Sequence, residues 1–130
     1  MTVNKERVEL LAQALESDQF QQCMGALRRQ QILLGTWTHC ALGVAIQTAL
    51  NNGHQLDPVD LEMGEEWIWE AGTLPDSVMS WYGFDDNDPT VSIDEGDGPF
   101  DASVAAINDD GTDFWTIAQA LRATYLKGEE

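Results

Sequence analysis

The stretch of sequence that decides the fold is residues 38–50, which read THCALGVAIQTAL. After the histidine nearly every side chain is apolar, so a helix built from this stretch is apolar almost all round. Helices of that kind lie in the interior of a protein, with neighbours on most sides. Thr38 is a suitable N-cap, and the run Asn51-Asn52-Gly53 is typical of a helix end. The sequence therefore predicts one central buried helix around which the rest of the chain packs.

Apolar residues at helical spacing predict further helices on both sides of the central one. These predicted helices span residues 4–16, 20–29, 75–82, 100–107 and 112–126. The run Thr90–Ile93 is the best candidate for a β-strand, inside a segment rich in Asp, Gly and Pro, residues 85–98. A length of 130 residues suits one domain. We therefore predict a mainly α fold, with α+β as the alternative: a single compact helical domain with at most a small β-hairpin.

The composition of the chain is that of a folded globular protein. Apolar residues make up 43% of it and include five Trp, which a disordered acidic chain would lack. No apolar stretch approaches the roughly 20 residues of a membrane span, and residues 1–6 carry no apolar signal-peptide core. Two Cys cannot form a disulfide framework. We therefore expect a cytoplasmic protein that does not bind a membrane.

Negative charge is concentrated in the middle of the chain. The formal net charge is −17, and 17 of the 23 acidic residues lie between Gln30 and Leu121, where there is no Lys or Arg. Most of these carboxylates must face water, because burying an unpaired one is costly. The charge argues against direct binding to nucleic acid, because phosphate groups repel it. Two interpretations stay open: a surface that only keeps the protein in solution, and a surface that meets a basic partner.

Three segments carry a resemblance to a known family. They are residues 38–44 (THCALGV), residues 74–83 (LPDSVMSWYG) and residues 107–118 (INDDGTDFWTIA). They resemble the Cys-Cys-Leu-Gly-Val helix, the Leu-Pro…Trp…Gly segment and the Leu-Asn-Asp…Gly…Phe…Ile-Ala segment of a family of small uncharacterised proteins frequent in phage and prophage genomes. The resemblance implies a phage-type origin, a bacterial host cell and a common core, and it carries no established activity. In this chain His39 stands where the family has the first of its paired cysteines.

Cys40 has two interpretations. At a helix N-terminus the helix dipole favours a thiolate, which would suit a nucleophile in a small cysteine-dependent hydrolase or a pocket for a small ligand. A nucleophilic Cys needs a base presented across a cleft, and neighbouring His39 points elsewhere on a helix. The only later histidine is His54. We therefore predict that Cys40 is buried and inert, with the enzyme as the alternative.

Metal and cofactor chemistry has little support in the sequence. The residues that could be combined on paper into a metal site lack ligand spacing: Cys23, His39, Cys40 and His54. The acidic clusters at residues 85–88 and 94–98 miss the calcium-loop pattern, and no Gly-rich phosphate loop is present. We predict no metal site, no cofactor and no catalytic residues.

An aromatic pair lies within the acidic region. Trp67 and Trp69 flank Ile68 between acidic residues, and on an extended segment both point to the same side. Such a pair resembles the core of a protein-binding site, and it equally resembles a strand packed on a helix.

The function that the sequence favours is binding to a basic surface of a host protein. If that surface normally binds DNA or RNA, this protein would act as a nucleic-acid mimic, as small acidic anti-defence proteins such as anti-CRISPR and anti-restriction inhibitors do. A monomer or a small homo-oligomer suits this role. We expect residues Asp85 to Asp101 to form a continuous negative face, and charge reversal at Asp85, Asp86 and Asp88 to abolish binding with little loss of fold. The predicted partner-binding residues are Asp85, Asp86, Asp88, Asp94, Glu95, Asp97, Trp67 and Trp69.

Overall fold

The central helix lies where the sequence predicts it. In the computed structural model it is the helix Ala41–Asn51, here α2, and its side chains are buried over most of its length. Its N-cap is Cys40, whose Sγ accepts a hydrogen bond from the Gly43 amide at 3.4 Å. The predicted cap, Thr38, lies instead in a short strand that leads into the helix.

The structure describes residues 3–17, 20–22, 28–30, 37–55, 73–94 and 98–126. The helices are α1 (Lys5–Glu16), α2, α3 (Asp76–Tyr82), α4 (Val104–Asp109) and α5 (Phe114–Leu121), which continues as a π-helical turn, Arg122–Leu126. The strands are β1 (Gln21–Gln22), β2 (Arg28–Gln30), β3 (Trp37–His39), β4 (Thr90–Asp94) and β5 (Pro99–Ser103). This is a mainly α domain, as predicted. Within these ranges no helix is both long and apolar enough to span a membrane.

Helix α1 packs against both α2 and α5. Asn4 caps α1, and the helix turns its apolar stripe inward at the spacing that the sequence shows. Helix α5 presents an inward stripe of the same kind, and its N-cap is Asp113. The buried stripe residues are Val8, Leu11, Ala12 and Leu15 on α1, and Phe114, Ile117, Ala118 and Leu121 on α5.

The predicted helix over residues 20–29 is wrong where the structure describes it. Gln21–Gln22 and Arg28–Gln30 are strands, and they flank β3 in a small three-stranded sheet. The β1–β3 pairing is parallel and the β2–β3 pairing is antiparallel. Backbone pairing with a distant segment therefore outweighs the local helical stripe, because helix propensity is a weak preference that tertiary contacts override.

The β-hairpin is confirmed and is longer than predicted. Strand β4 pairs antiparallel with β5, which occupies the first half of the segment predicted to be the helix 100–107. The helical part, α4, begins only after Ser103, whose side chain accepts a hydrogen bond from the Ala106 amide. The sequence predicts that this helix begins at the apolar Phe100. Serine is a favoured N-cap, so Ser103 is the better indicator of where the helix begins.

Aromatic side chains fill the space between α3, the chain that follows it and the C-terminal turn. Tyr82 and Phe84 are both 0% exposed and stack with ring centres 5.2 Å apart, and Tyr125 packs on the other side of Phe84 at 5.2 Å. The Tyr82 hydroxyl donates to the Ala45 carbonyl of α2 at 2.6 Å, and burial raises its pKa far above the ordinary value. Gly83, with φ of 81°, ends α3 in the left-handed region and so places these two rings together.

Candidate functional site

The acidic loop, residues 85–88, lies beside the C-terminal turn. Asp85 and Asp86 are exposed, and Tyr125 donates its hydroxyl hydrogen to the Thr90 carbonyl at 2.7 Å. Burial and the negative charges of Asp85 and Asp86 raise the pKa of Tyr125 to about 12. The two carboxylates therefore act on the same patch of surface, at the start of β4.

The second half of the acidic loop is part of the scaffold. The side-chain amide of Asn87 donates to the Leu74 carbonyl at 2.7 Å and to the Asp76 carboxylate at 2.8 Å. The backbone carbonyl of Asn87 accepts a hydrogen bond from the Leu74 amide. Asp88 is half-buried and accepts a hydrogen bond from the Ala105 amide at 3.0 Å, in the first turn of α4. A carboxylate at that position stabilises a helix start.

The expectation that charge reversal costs little of the fold therefore does not suit Asp88, whose carboxylate accepts a hydrogen bond from the Ala105 amide. For Asp85 it stays a prediction. Asp86 is intermediate, because its Oδ1 accepts a hydrogen bond from the Asp88 amide at 3.0 Å while its side chain stays exposed. Reversal of the charge at Asp88 would leave the Ala105 amide without its acceptor. A test of the surface must therefore leave Asp88 in place.

Arg7 and Arg122 have partners other than the carboxylates of the acidic loop. Arg122 forms ion pairs with Glu9 at 2.7 Å and with Glu16 at 2.6 Å, which join α1 to the C-terminal turn. Hydrogen bonds from Arg122 hold the pKa of both glutamates below the ordinary value. Arg7 lies over the Trp81 ring at 4.3 Å and donates to the Trp81 carbonyl at 2.8 Å.

The end of the predicted negative face, Asp101, and the other predicted binding residues fall into three groups. Asp101 is exposed on β5, opposite Ser92 of β4, and within the described ranges no cation pairs with it or with Asp85 and Asp86. Asp94 is the last residue of β4, of which only the backbone is described. The remaining predicted residues lie outside the described residues: Glu95, Asp97, Trp67 and Trp69.

Cys40 is buried, with 5% of its surface exposed, and acts as the N-cap of α2. His39 is also buried, and its ring packs nearly perpendicular to the Phe20 ring, with the ring centres 5.1 Å apart. His54 lies beyond the other end of α2, a helix of 11 residues that is about 16 Å long, and its Nε2 is 3.2 Å from the Ser77 hydroxyl. The structure therefore separates His54 from Cys40. Within the described ranges no three His, Cys, Asp or Glu side chains lie close enough together to hold a metal ion.

We expect Cys40 to resist thiol reagents in the folded protein. The buried thiol must be exposed before it reacts, so its labelling rate should rise by several orders of magnitude in denaturant. The measurement is mass-resolved labelling of Cys40 with a maleimide or a disulfide reagent, with and without urea. Fast labelling of Cys40 under native conditions would contradict a buried, inert role and would favour the hydrolase.

Sequence reasoning missed two residues that the structure singles out. Asn108 is 0% exposed, and its Oδ1 accepts hydrogen bonds from the Ala41 amide at 3.0 Å and the Gln22 side chain at 2.9 Å. It therefore joins α4 to the first residue of the central helix.

The second residue is Trp115, which is 62% exposed on α5, although tryptophan is usually buried. Its position outside the apolar stripe of α5 was the signal available in the sequence.

The chain belongs to a family described as a domain of unknown function (DUF8296), whose family model matches residues 3–125. The match covers all the helices and strands described above except the last residue of the C-terminal turn. No curated protein matches the chain, and no solved structure does.

Proposed function

We propose that this protein binds a basic surface of another protein through the acidic loop and the carboxylates next to it. The observation that supports the proposal is the exposure of Asp85 and Asp86 with no cation paired to them among the described residues. Arg7 and Arg122 have other partners. A surface of this kind attracts basic proteins and repels nucleic acid.

The proposal includes a biological role for the binding. The partner is a host protein whose basic surface normally holds DNA or RNA, so this protein mimics the nucleic acid and blocks its site. Such a role is that of a phage-encoded anti-defence inhibitor, and the host cytoplasm is where it would act. The resemblance to phage and prophage proteins supports this role, and so does the formal charge of −17. The alternative is a hydrolase or a ligand pocket around Cys40. The thiol is buried and caps α2, and neither observation supports that alternative.

Neutralising the acidic loop should weaken partner binding roughly tenfold or more and leave the fold intact. The variant is Asp85→Asn with Asp86→Asn, because an asparagine Oδ1 can still accept the hydrogen bond from the Asp88 amide. The matched control is Glu6→Lys, which changes the net charge by the same two units on an exposed site of α1.

The measurement uses three baits, wild type and the two variants, immobilised and exposed to host lysate at low and high salt. The captured protein is then purified and titrated against each bait, with duplex DNA and RNA as competitors. We expect the affinity for wild type to fall as salt rises. The double variant should lose the binding and Glu6→Lys should keep it, and nucleic acid should displace the bound partner. Equal affinity of all three baits would show that the acidic loop only keeps the protein in solution.

A further inference from the structure

A groove of about 310 Å³ separates the β4–β5 hairpin from α5. On the helix side the small side chains of Ala120 and Ala123 leave it open, and Ile93 closes it towards the core. The lining residues are Ser92, Ile93 and Pro99 on the hairpin, and Thr116, Gln119, Ala120 and Ala123 on the helical side. We call this feature the hairpin groove.

Two large apolar side chains next to the hairpin groove are exposed to water. Phe100 is 45% exposed and follows Pro99, and the strand register places it directly opposite Ile93. Trp115 is 62% exposed and precedes Thr116. Tryptophan is among the residues that most often contribute strongly to binding in protein interfaces.

Each of these aromatic residues has a carboxylate close to it in the chain. Asp101 follows Phe100 on β5 but faces the other side of the hairpin, directly opposite Ser92 of the groove lining. Asp113 lies two residues before Trp115, and both carboxylates are exposed. Hydrogen bonds from Thr116 hold the pKa of Asp113 below the ordinary value, so this carboxylate is charged at neutral pH. Arg122, at the other end of α5, is already neutralised by two glutamates of α1. The rim of the hairpin groove is therefore aromatic and negatively charged.

The hairpin groove is continuous with the surface around the acidic loop. Strand β4 begins at Thr90, beside Tyr125 and the acidic loop, and reaches the hairpin groove at Ser92 and Ile93. Three residues of strand span about 10 Å. A single partner segment can therefore contact both.

We propose that the hairpin groove binds a basic segment of the partner in which one aliphatic side chain is flanked by Lys or Arg. The aliphatic side chain fills the space between Ile93 and Ala120. One flanking cation lies against the Trp115 ring and Asp113, and the other lies against Asp101, opposite Ser92. Cations interact favourably with aromatic faces, and most strongly with tryptophan. This inference rests on the proposed function and names the chemistry of the partner that the acidic surface accepts.

Two synthetic peptides of equal charge test the inference. Each carries Lys and Arg on both sides of a central residue, which is Ile in one peptide and Gly in the other. Binding to the intact protein is followed by fluorescence anisotropy at low and high salt. We expect the Ile peptide to bind wild type about tenfold more tightly than the Gly peptide, since burying an aliphatic side chain stabilises a complex by that order. Both affinities should fall with salt.

Variants of exposed residues locate the binding site without disturbing the core. Ala123→Phe fills the hairpin groove at unchanged charge, with Ala123→Ser as its control, and Trp115→Ala removes the exposed indole. We expect Ala123→Phe and Trp115→Ala to reduce the advantage of the Ile peptide to less than about threefold, and Ala123→Ser to keep it. Retention of the full advantage in both variants, or its absence in wild type, would overturn the inference.

The same titrations separate this inference from the proposed function. If Asp85→Asn with Asp86→Asn weakens both peptides while the groove variants change nothing, the acidic surface stands and the hairpin groove does not. If the groove variants remove the Ile advantage while the loop variant binds like wild type, the hairpin groove stands and the role of the acidic loop is refuted.

Discussion

Phe84→Ala should lower the free energy of unfolding by about 3–5 kcal/mol, the usual cost of removing a fully buried phenylalanine. The ring is 0% exposed and lies between Tyr82 and Tyr125. Its removal therefore leaves a cavity between α3 and the C-terminal turn. Loss of the ring also removes the support of Tyr125, whose hydroxyl holds the start of β4. We therefore expect the acidic loop to lose order together with the core.

The measurement for Phe84→Ala is urea unfolding followed by circular dichroism. Phe100→Ala is the matched control: the substitution is the same, but the ring is 45% exposed and its loss should cost less than about 1 kcal/mol. Equal destabilisation by the two substitutions would contradict the packing of Phe84 between the two tyrosines.

Asn108→Ala is expected to lower the free energy of unfolding by about 3 kcal/mol. The substitution removes the acceptor of the Ala41 amide and of the Gln22 side chain, and each buried donor left without a partner costs about 1–3 kcal/mol. The Gln22 amide keeps its second acceptor, the Thr112 carbonyl at 2.7 Å, so the Ala41 amide should account for most of the loss.

The control for Asn108→Ala is Asn52→Ala, which removes an exposed amide that donates to the Thr48 carbonyl at the end of the same helix. Solvent can replace that interaction, so we expect a loss below about 1 kcal/mol. Hydrogen exchange should also show faster exchange of the first amides of α2 in Asn108→Ala. If Asn108→Ala unfolded at the same urea concentration as Asn52→Ala, a structural role for the buried Asn108 amide would be refuted.

The two substitutions remove different supports of the acidic loop. Phe84 packs against Tyr125, which holds the start of β4, whereas Asn108 joins α4 to α2. The acidic loop also depends on α4 through the hydrogen bond between Asp88 and the Ala105 amide. The exposed carboxylates are thus presented by a loop fixed at several points, which reduces the entropy lost on binding.

Local chemistry determined much of this fold. The apolar run after His39 made α2 a buried helix in any arrangement of the chain, because no face of it could remain in water. Asn4 caps the start of α1 and Gly83 ends α3. Each of them affects only residues within one helical turn of itself. The exposure of Asp85 likewise followed from the cost of burying a charge with no cation nearby in the chain.

Contacts between distant segments decided the rest. Gln21–Gln22 became a strand by pairing with β3, and Asn108 became a buried acceptor because Ala41, 67 residues earlier, needed a partner for its amide. Asp88 took a structural role for the same reason, from the Ala105 amide. The hairpin groove exists only because β4 lies beside α5. A sequence read in order shows which groups need partners, whereas the partner that each one finds is set by which segments the packed core brings together.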